Sequence, residues 1–166
     1  ACVDLWENGV APEKTALFGE SAGGTLVVAA LQRLQEMKYP LPGAWIVLSP
    51  WLDLTRQRRG FDGFLSGENL ATWAALYAGE HPLQTVSPIY GKLSGLPPAM
   101  VFAGGKELLR SDAERLRDTL KAAGGQCDLT VAEGKGHCYP IAGGGEAHRA
   151  FSRMRVFLDR HLKDAL

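Results

Sequence analysis

Short apolar runs alternate with longer stretches of helical periodicity along most of this chain. The four runs are apolar on successive residues, as expected for strands that are buried on both faces. Between them, apolar residues recur every three or four positions, which is typical of helices that pack on a sheet. The alternation therefore predicts an α/β fold, with a parallel sheet flanked by helices on both sides. The predicted strands cover residues 15–18, 45–48, 99–103 and 127–132.

Two of the predicted helices carry large aromatic side chains on an apolar stripe. In residues 68–78, Trp73 and Tyr77 lie at helical spacing, which favours core packing over the alternative that they line a binding pocket. In residues 146–163, Phe151 falls on the same stripe as the other apolar side chains of that helix. We therefore expect all three aromatic side chains to point toward the core.

The composition is that of one globular domain. The chain has 166 residues and a formal charge of zero, because 18 basic side chains balance 18 acidic ones. This balance argues against a nucleic-acid partner, since phosphate binding needs a basic face. No run approaches the ~20 apolar residues of a membrane span.

The cysteines and histidines do not indicate a metal centre. Cys2, Cys127 and Cys138 lack C-x-x-C spacing, which argues against a disulfide framework and against a zinc cluster. The histidines do not pair with cysteines or carboxylates at metal-ligand spacing. We therefore expect no metal, and a reducing, cytoplasmic location for the protein.

Residues 19–23, Gly-Glu-Ser-Ala-Gly, match the G-x-S-x-G pattern of a nucleophilic serine. The motif lies between an apolar run and an amphipathic helix, where small residues permit a sharp turn that exposes Ser21 Oγ. The start of that helix directs backbone N–H groups at developing negative charge, which makes the Ala22 N–H a candidate oxyanion donor. The alternative interpretation is a glycine-rich turn whose serine has no catalytic role.

A serine nucleophile needs a general base, and His137 is the leading candidate. In enzymes whose G-x-S-x-G serine lies on a strand–turn–helix, the catalytic residues follow in the order serine, acid, histidine, each on a loop after a strand. His137 lies just after the fourth predicted strand and before the last helix. His81 precedes a proline, and His148 and His161 fall on the last helix, so surface or core packing explains those three better.

Two carboxylates are candidates for the acid that orients the base. Glu107 comes first after the third strand, and Asp112 follows within a capping-box pattern over residues 111–114 that predicts a helix start. The helix dipole already explains a carboxylate at Asp112, so Glu107 leads. The alternative for Glu107 is a solvated loop charge, loosely paired with Lys106 or Arg110.

Five motifs occur in order along nearly the whole chain. They are Gly-Glu-Ser-Ala-Gly-Gly at 19–24, Leu-Ser-Pro-Trp-Leu-Asp-Leu-Thr at 48–55, Ser-Pro-Ile-Tyr at 87–90, Leu-Ser-Gly-Leu-Pro-Pro at 93–98 and Gly-His at 136–137. Together they resemble the bacterial hormone-sensitive-lipase family of esterases. The resemblance implies an α/β-hydrolase fold, with Ser21 as nucleophile and His137 as general base. It also implies hydrolysis of small-molecule carboxylic esters with short acyl chains, without a cofactor.

Two features depart from that family's pattern. The family usually has Asp where this sequence has Lys106, so Glu107 would have to act from the next position. The family's His-Gly-Gly-Gly loop, N-terminal cap and further strands precede the serine and do not occur in residues 1–166. We therefore expect residues 1–166 to be a single α/β-hydrolase catalytic domain that represents only its C-terminal portion.

The first predicted strand has consequences for the partners of this chain. A sheet that begins at residues 15–18 exposes a hydrogen-bonding edge and an apolar face. We therefore expect the segment to associate with another chain, with an N-terminal half, or with a second copy of itself.

Aromatic and aliphatic residues after the second strand are candidates for a substrate-binding surface. They are Trp51, Leu52, Phe61 and Phe64, and core packing under a loop is the alternative. The second functional hypothesis is a non-catalytic, ligand-binding remnant of a hydrolase scaffold, because Lys106 stands where the family has its acid.

Overall fold

Four strands form one parallel sheet in the computed structural model, which describes residues 1–162. The strands lie in chain order, with helices on both faces, so the predicted α/β class is confirmed. The strands are β1 (Ala16–Glu20), β2 (Ala44–Leu48), β3 (Ala99–Gly104) and β4 (Cys127–Ala132). The helices are α1 (Cys2–Glu7), α2 (Ala22–Glu36), α3 (Gly67–Ala78), α4 (Arg110–Ala122) and α5 (Gly145–His161). Within the described residues, no helix combines the length and apolar character that crossing a membrane requires.

The two central strands contribute to the core on both of their faces. Every residue of β2 and β3 is buried. On one face, Trp45 belongs to a cluster with Leu31 of α2 and Leu116 of α4. On the other face, Ile46 belongs to a cluster with Phe157 of α5. This two-sided burial explains why the strand sequences are uninterrupted apolar runs.

The strands end together at one edge of the sheet. In the parallel register, Glu20, Leu48 and Phe102 stand side by side near the ends of β1, β2 and β3. The loops that follow the strands therefore meet at this carboxyl edge. Open α/β sheets bind ligands outside the carboxyl ends of their strands, so this edge is where a site is expected.

The three aromatic side chains that were expected in the core are exposed, so that prediction is wrong. Trp73 and Tyr77 lie on the solvent side of α3, because the helix packs through its smaller residues Ala74 and Ala78. Phe151 of α5 is exposed in the same way. Apolar side chains at adjacent positions widen a helical stripe, and only part of a wide stripe contacts the sheet.

Helix α4 begins before the predicted capping box. Its N-cap residue is Leu109, without a side-chain cap, and Ser111 lies inside the first turn. Glu114 pairs instead with Arg110, at 2.8 Å between Oε1 and Nε. The capping-box prediction is therefore wrong. The start of α4 coincides with the buried contacts of Asp112, which are described below.

Strand β1 is an edge strand in the part of the chain that the structure describes, because it pairs only with β2. Phe18 of β1 is 52% exposed, and Leu26 of α2 is 57% exposed. An open strand edge therefore lies beside apolar surface, as the sequence predicts.

Candidate active site

Ser21 occupies a sharp turn between β1 and α2. Its φ of 52° and ψ of −120° are unusual for any residue other than glycine, so the turn is strained. The Ser21 N–H donates to the Leu48 carbonyl at 2.8 Å, and the Ser21 carbonyl accepts from the Trp51 N–H at 3.0 Å. The Ser21 hydroxyl does not cap α2. The turn therefore presents the hydroxyl at the carboxyl edge without committing it to the helix.

Two glycines beside this turn are required by close packing. A Cβ atom at Gly19 would lie 2.4 Å from the Gly23 carbonyl oxygen, and one at Gly24 would lie 2.7 Å from Pro50 Cβ. Both distances are too short for a real Cβ contact, so only glycine permits these approaches. Steric crowding therefore explains why the first residue of the G-x-S-x-G motif is glycine.

Ala22 is the first residue of α2 and is exposed. Its N–H has no acceptor within the helix, because the first four N–H groups of any α-helix lack one. The positive end of the helix dipole lies at the same place. This backbone group therefore meets the electrostatic requirement for an oxyanion donor.

His137 lies on the loop that follows β4, at the same edge of the sheet. Only 2% of its side chain is exposed. The Phe64 ring stacks on the imidazole, with 5.5 Å between ring centroids and 23° between ring planes. A Cβ atom at Gly104 would lie 2.2 Å from the Gly136 carbonyl oxygen. The glycine at the end of β3 therefore allows the loop with His137 to lie directly against that strand.

Glu107 is the acidic side chain that the structure brings to His137. The Glu107 side chain has no exposed surface, and its Oε2 lies 3.7 Å from His137 Nδ1. This separation is longer than a hydrogen bond, and within residues 1–162 neither His137 Nδ1 nor Glu107 Oε1 has a hydrogen-bond partner. Lys106 is exposed, so Glu107 is the residue of this pair that faces the imidazole.

Asp112, the other candidate acid, is buried against different partners. Its Oδ2 accepts hydrogen bonds from the N–H groups of Leu52 at 2.8 Å and Asp53 at 3.0 Å, and its Oδ1 pairs with the Arg58 guanidinium. Burial raises the pKa of Asp112, although these partners act to lower it. Asp112 therefore anchors the segment after β2, and its contacts, rather than the helix dipole, explain its presence.

The surroundings of His137 favour its protonated form. Burial alone would lower the pKa of His137, but interactions with the Cys138 and Glu107 side chains outweigh burial and raise that pKa to about 9. An environment that stabilises an imidazolium is what a general base needs once it has accepted a proton. The same environment keeps most of the imidazole protonated at neutral pH.

A cleft of about 290 Å³ opens beside the imidazole. Phe64 and Tyr139 line it together with the oppositely charged side chains of Lys135 and Glu146. The cleft is therefore part apolar and part polar, and His137 forms part of its wall.

The four residues expected at a substrate-binding surface lie in different environments. Phe64 is 72% exposed and lines the cleft, while Phe61 is 69% exposed on the same loop but outside the cleft. Trp51 is buried beside Leu65, and Leu52 has no exposed surface. Leu52 belongs to the core cluster that also contains Trp45 and Leu116.

Two residues at this edge were not identified from the sequence. Ser49 directly follows β2 and contacts Glu107. Asp62 accepts hydrogen bonds from the N–H groups of Phe64 and Leu108, at 2.9 Å each, and so fixes the loop that carries Phe64. The sequence signals for Ser49 are a Ser-Pro pair at the end of an apolar run and its place in the motif at residues 48–55. Its contact with Glu107 depends on β2 lying beside β3, which no local pattern reveals.

Comparison with known proteins assigns the family. Residues 1–141 match a family model described as alpha/beta hydrolase fold. This chain belongs to the alpha/beta hydrolase family. This chain superposes on the crystal structure of an esterase from the bacterial hormone-sensitive lipase family with a TM-score of 0.88 at 37% identity, covering 95% of this chain and 57% of that one. The resemblance inferred from the motifs is therefore confirmed.

Curated relatives of this chain include proteins named as ester-cleaving enzymes. An acetyl-hydrolase from Streptomyces hygroscopicus is 39% identical over 130 residues, which cover 72% of this chain and 43% of that protein. A carboxylesterase/phospholipase from Mycobacterium tuberculosis is 31% identical over 159 residues, which cover 85% of this chain and 42% of that protein. The chain thus spans less than half the length of these two relatives.

Proposed function

We propose that this chain carries the nucleophile, the general base and the acid of a serine carboxylic-ester hydrolase. The observation that carries the proposal is the buried pair of Glu107 and His137 at the same sheet edge as the strained Ser21 turn. Strained backbone and a buried carboxylate beside an imidazole are both features that cluster at catalytic sites. The names of the relatives, which include acetyl-hydrolase and carboxylesterase, support the same reaction class.

The proposed reaction proceeds through an acyl-enzyme. Ser21 Oγ attacks the ester carbonyl carbon while His137 accepts the hydroxyl proton, and Glu107 orients the imidazole and stabilises its charge. The Ala22 N–H donates to the oxyanion that forms. His137 then protonates the departing alkoxide, which leaves an ester between the acyl group and Ser21. Water, deprotonated by His137, attacks that ester and releases the carboxylic acid.

We infer that the substrates are small esters with short acyl chains. The cleft beside His137, at about 290 Å³, is at the lower end of the usual range for small-molecule sites. The exposed Phe64 ring offers an apolar wall to an acyl or alcohol group. Among the four residues expected at a substrate-binding surface, Phe64 is the one that lines this cleft.

Hydrolysis of p-nitrophenyl acetate, butyrate and decanoate tests this function. We expect turnover of the two short esters, little turnover of the decanoate, and loss of at least about 1,000-fold in Ser21→Ala. Ala29→Ser, a conservative change in the same helix but away from the turn, is the matched control and should retain activity. Equal rates for the parent chain and Ser21→Ala would contradict the proposal and favour a ligand-binding role.

A further inference from the structure

Ser49 occupies a strained and fully buried position beside the acid and base loops. It follows β2, has no exposed surface, and has a φ of 47°, which is unusual for serine. Its N–H donates to the Phe102 carbonyl at 2.7 Å. Strained residues persist only where surrounding contacts over-determine them, so the contacts of the Ser49 side chain are informative.

The Ser49 hydroxyl joins the two loops through hydrogen bonds of fixed direction. It donates to Glu107 Oε2 at 2.6 Å and accepts from the Cys138 N–H at 2.9 Å. A carboxylate can only accept and a backbone N–H can only donate, so the single hydroxyl proton must point to Glu107. The resulting relay runs from the Cys138 N–H through the Ser49 hydroxyl to the carboxylate.

The relay reaches the part of Glu107 that matters for His137. Oε2, which accepts from Ser49, is also the oxygen that lies 3.7 Å from His137 Nδ1. The other oxygen, Oε1, has no hydrogen-bond partner among the described residues. The Ser49 hydroxyl therefore donates the only hydrogen bond that holds this carboxylate in residues 1–162. Cys138, at the other end of the relay, is the residue directly after His137.

We propose that Ser49 is a positioning residue of the hydrolase, whose hydroxyl holds Glu107 against His137 and couples that acid to the backbone of the base loop. The inference rests on the proposed function, since it assigns Ser49 a role in the same site. It adds to the Ser–His–acid arrangement a residue that touches neither the substrate nor the reacting atoms.

Three substitutions separate the hydroxyl from the backbone strain. Ser49→Ala removes the hydroxyl and retains the strain, whereas Ser49→Gly removes the hydroxyl and relieves the strain. Ser49→Thr keeps a hydroxyl but adds a branched side chain at positive φ, so we expect lower stability with the relay intact. If positioning depends on the hydroxyl, Ser49→Ala and Ser49→Gly behave alike and Ser49→Thr behaves like the parent chain.

Ser87 supplies a matched control. Its buried hydroxyl also bridges two segments, accepting from the Leu54 N–H at 2.9 Å and donating to the Leu83 carbonyl at 2.7 Å. Ser87→Ala therefore removes a bridge of the same kind that does not touch Glu107. Any general effect of losing a buried hydroxyl appears in both variants.

The test combines kinetics with an NMR titration of the His137 imidazole, whose signal is assigned from its loss in His137→Gln. In Ser49→Ala and Ser49→Gly we expect kcat for p-nitrophenyl butyrate to fall by about 100-fold with KM changed less than about threefold. We also expect the pKa of His137 to fall by at least about one unit toward the ordinary value near 6.5. Ser87→Ala and Ser49→Thr should leave both quantities close to those of the parent.

An unchanged His137 titration in a folded Ser49→Ala or Ser49→Gly would overturn the inference, as would an equal shift in Ser87→Ala. If Ser49→Ala fails to fold, the comparison of Ser49→Gly with Ser49→Thr decides the question. Absence of Ser21-dependent turnover in the parent chain would contradict the proposed function instead. The NMR titration needs no turnover, so it still reports whether Ser49 holds Glu107 against His137.

Discussion

Glu107 and Asp112 are buried carboxylates on neighbouring turns, and their partners give them different chemistry. Glu107 Oε2 accepts a hydrogen bond from Ser49 and faces the imidazole, while Oε1 has no hydrogen-bond partner within residues 1–162. Asp112 is fully engaged by the Arg58 guanidinium and by two backbone N–H groups. A side chain with spare acceptor capacity suits catalysis, whereas one whose acceptors are all occupied suits structure.

Removing the charge of Glu107 should therefore reduce mainly activity, whereas removing the charge of Asp112 should reduce mainly stability. Glu107→Gln should lower kcat by about 1,000-fold or more with little change in melting temperature, because it removes the acid that orients His137. Asp112→Asn should lower the free energy of unfolding by about 3 kcal/mol, because it leaves the Arg58 charge buried without its partner. Thermal unfolding and steady-state kinetics on both variants measure this; a larger loss of kcat in Asp112→Asn would reverse the assignment.

The raised pKa of His137 predicts that the proposed activity increases toward alkaline pH. The base acts in its neutral form, so kcat/KM should rise with pH until it levels off above about 9. The same shift affects stability: because protonation is favoured in the folded state, this stabilisation is complete below about pH 6.5 and is lost as the pH rises through about 9. A pH–rate profile that is already flat at pH 7 would contradict this prediction, and Glu107→Gln should move the rising limb to lower pH.

The loop between β2 and α3 connects buried anchoring contacts to the cleft. The Arg58 guanidinium binds Asp112, and four residues further along the loop Asp62 accepts from the Leu108 N–H. Between these anchors and α3 the loop carries Phe64, which stacks on His137. The stacked ring is thus held by a loop that is fixed on both sides.

Phe64→Ala should raise KM for p-nitrophenyl butyrate by about tenfold, because it removes an apolar wall of the cleft worth roughly 1–3 kcal/mol. Phe61→Ala is the matched control, since Phe61 lies on the same loop with similar exposure but does not line the cleft. Steady-state kinetics on the two variants compare them. Equal effects on KM would show that the loop, rather than the Phe64 ring, determines binding.

The strands were predicted more accurately than the helix faces, for a physical reason. A strand covered on both sides must be apolar throughout, so runs such as residues 45–48 identify β2 directly. A helix with apolar residues at adjacent positions, such as α3, has several possible inward faces, and only the sheet selects one. For this reason Trp73 was predicted to face the core, whereas the structure shows it exposed.

Residues of the site could be predicted where their role follows from their order along the chain. They could not be predicted where their role depends on contacts between neighbouring strands. Ser21 and His137 were proposed from the turns that follow two apolar runs, and the structure brings both to one edge. The contacts of Ser49 with Glu107 and of Asp112 with Arg58 join residues separated by more than fifty positions. No periodicity in a single segment encodes contacts of that range.

For the whole molecule, the open edge of β1 has the largest consequence. Its backbone groups are unpaired on one side in the described part of the chain, and Phe18 and Leu26 expose apolar surface beside them. We expect another strand, from another chain, from an N-terminal half or from a second copy, to cover this edge, because open apolar edges associate. The oxyanion donors besides the Ala22 N–H would come with that partner.

Sedimentation velocity on the 166-residue chain tests the role of this edge. We expect self-association that increases with concentration, and Phe18→Ser should weaken it. Phe151→Ser is the control, because Phe151 has similar exposure but lies on helix α5 rather than on the edge strand. A monodisperse monomer that is folded and active by itself would contradict the prediction.

The central claim is that Ser21, His137 and Glu107 act together to form an acyl-enzyme, and locating the acyl group tests it most directly. The chain is mixed with p-nitrophenyl acetate at alkaline pH, quenched in acid, digested and mapped by mass spectrometry. We predict rapid acetylation of Ser21, at least about 1,000-fold slower in His137→Gln and Glu107→Gln and absent in Ser21→Ala. A folded chain whose Ser21 stays unmodified, or is acetylated at the same rate without His137, would contradict it.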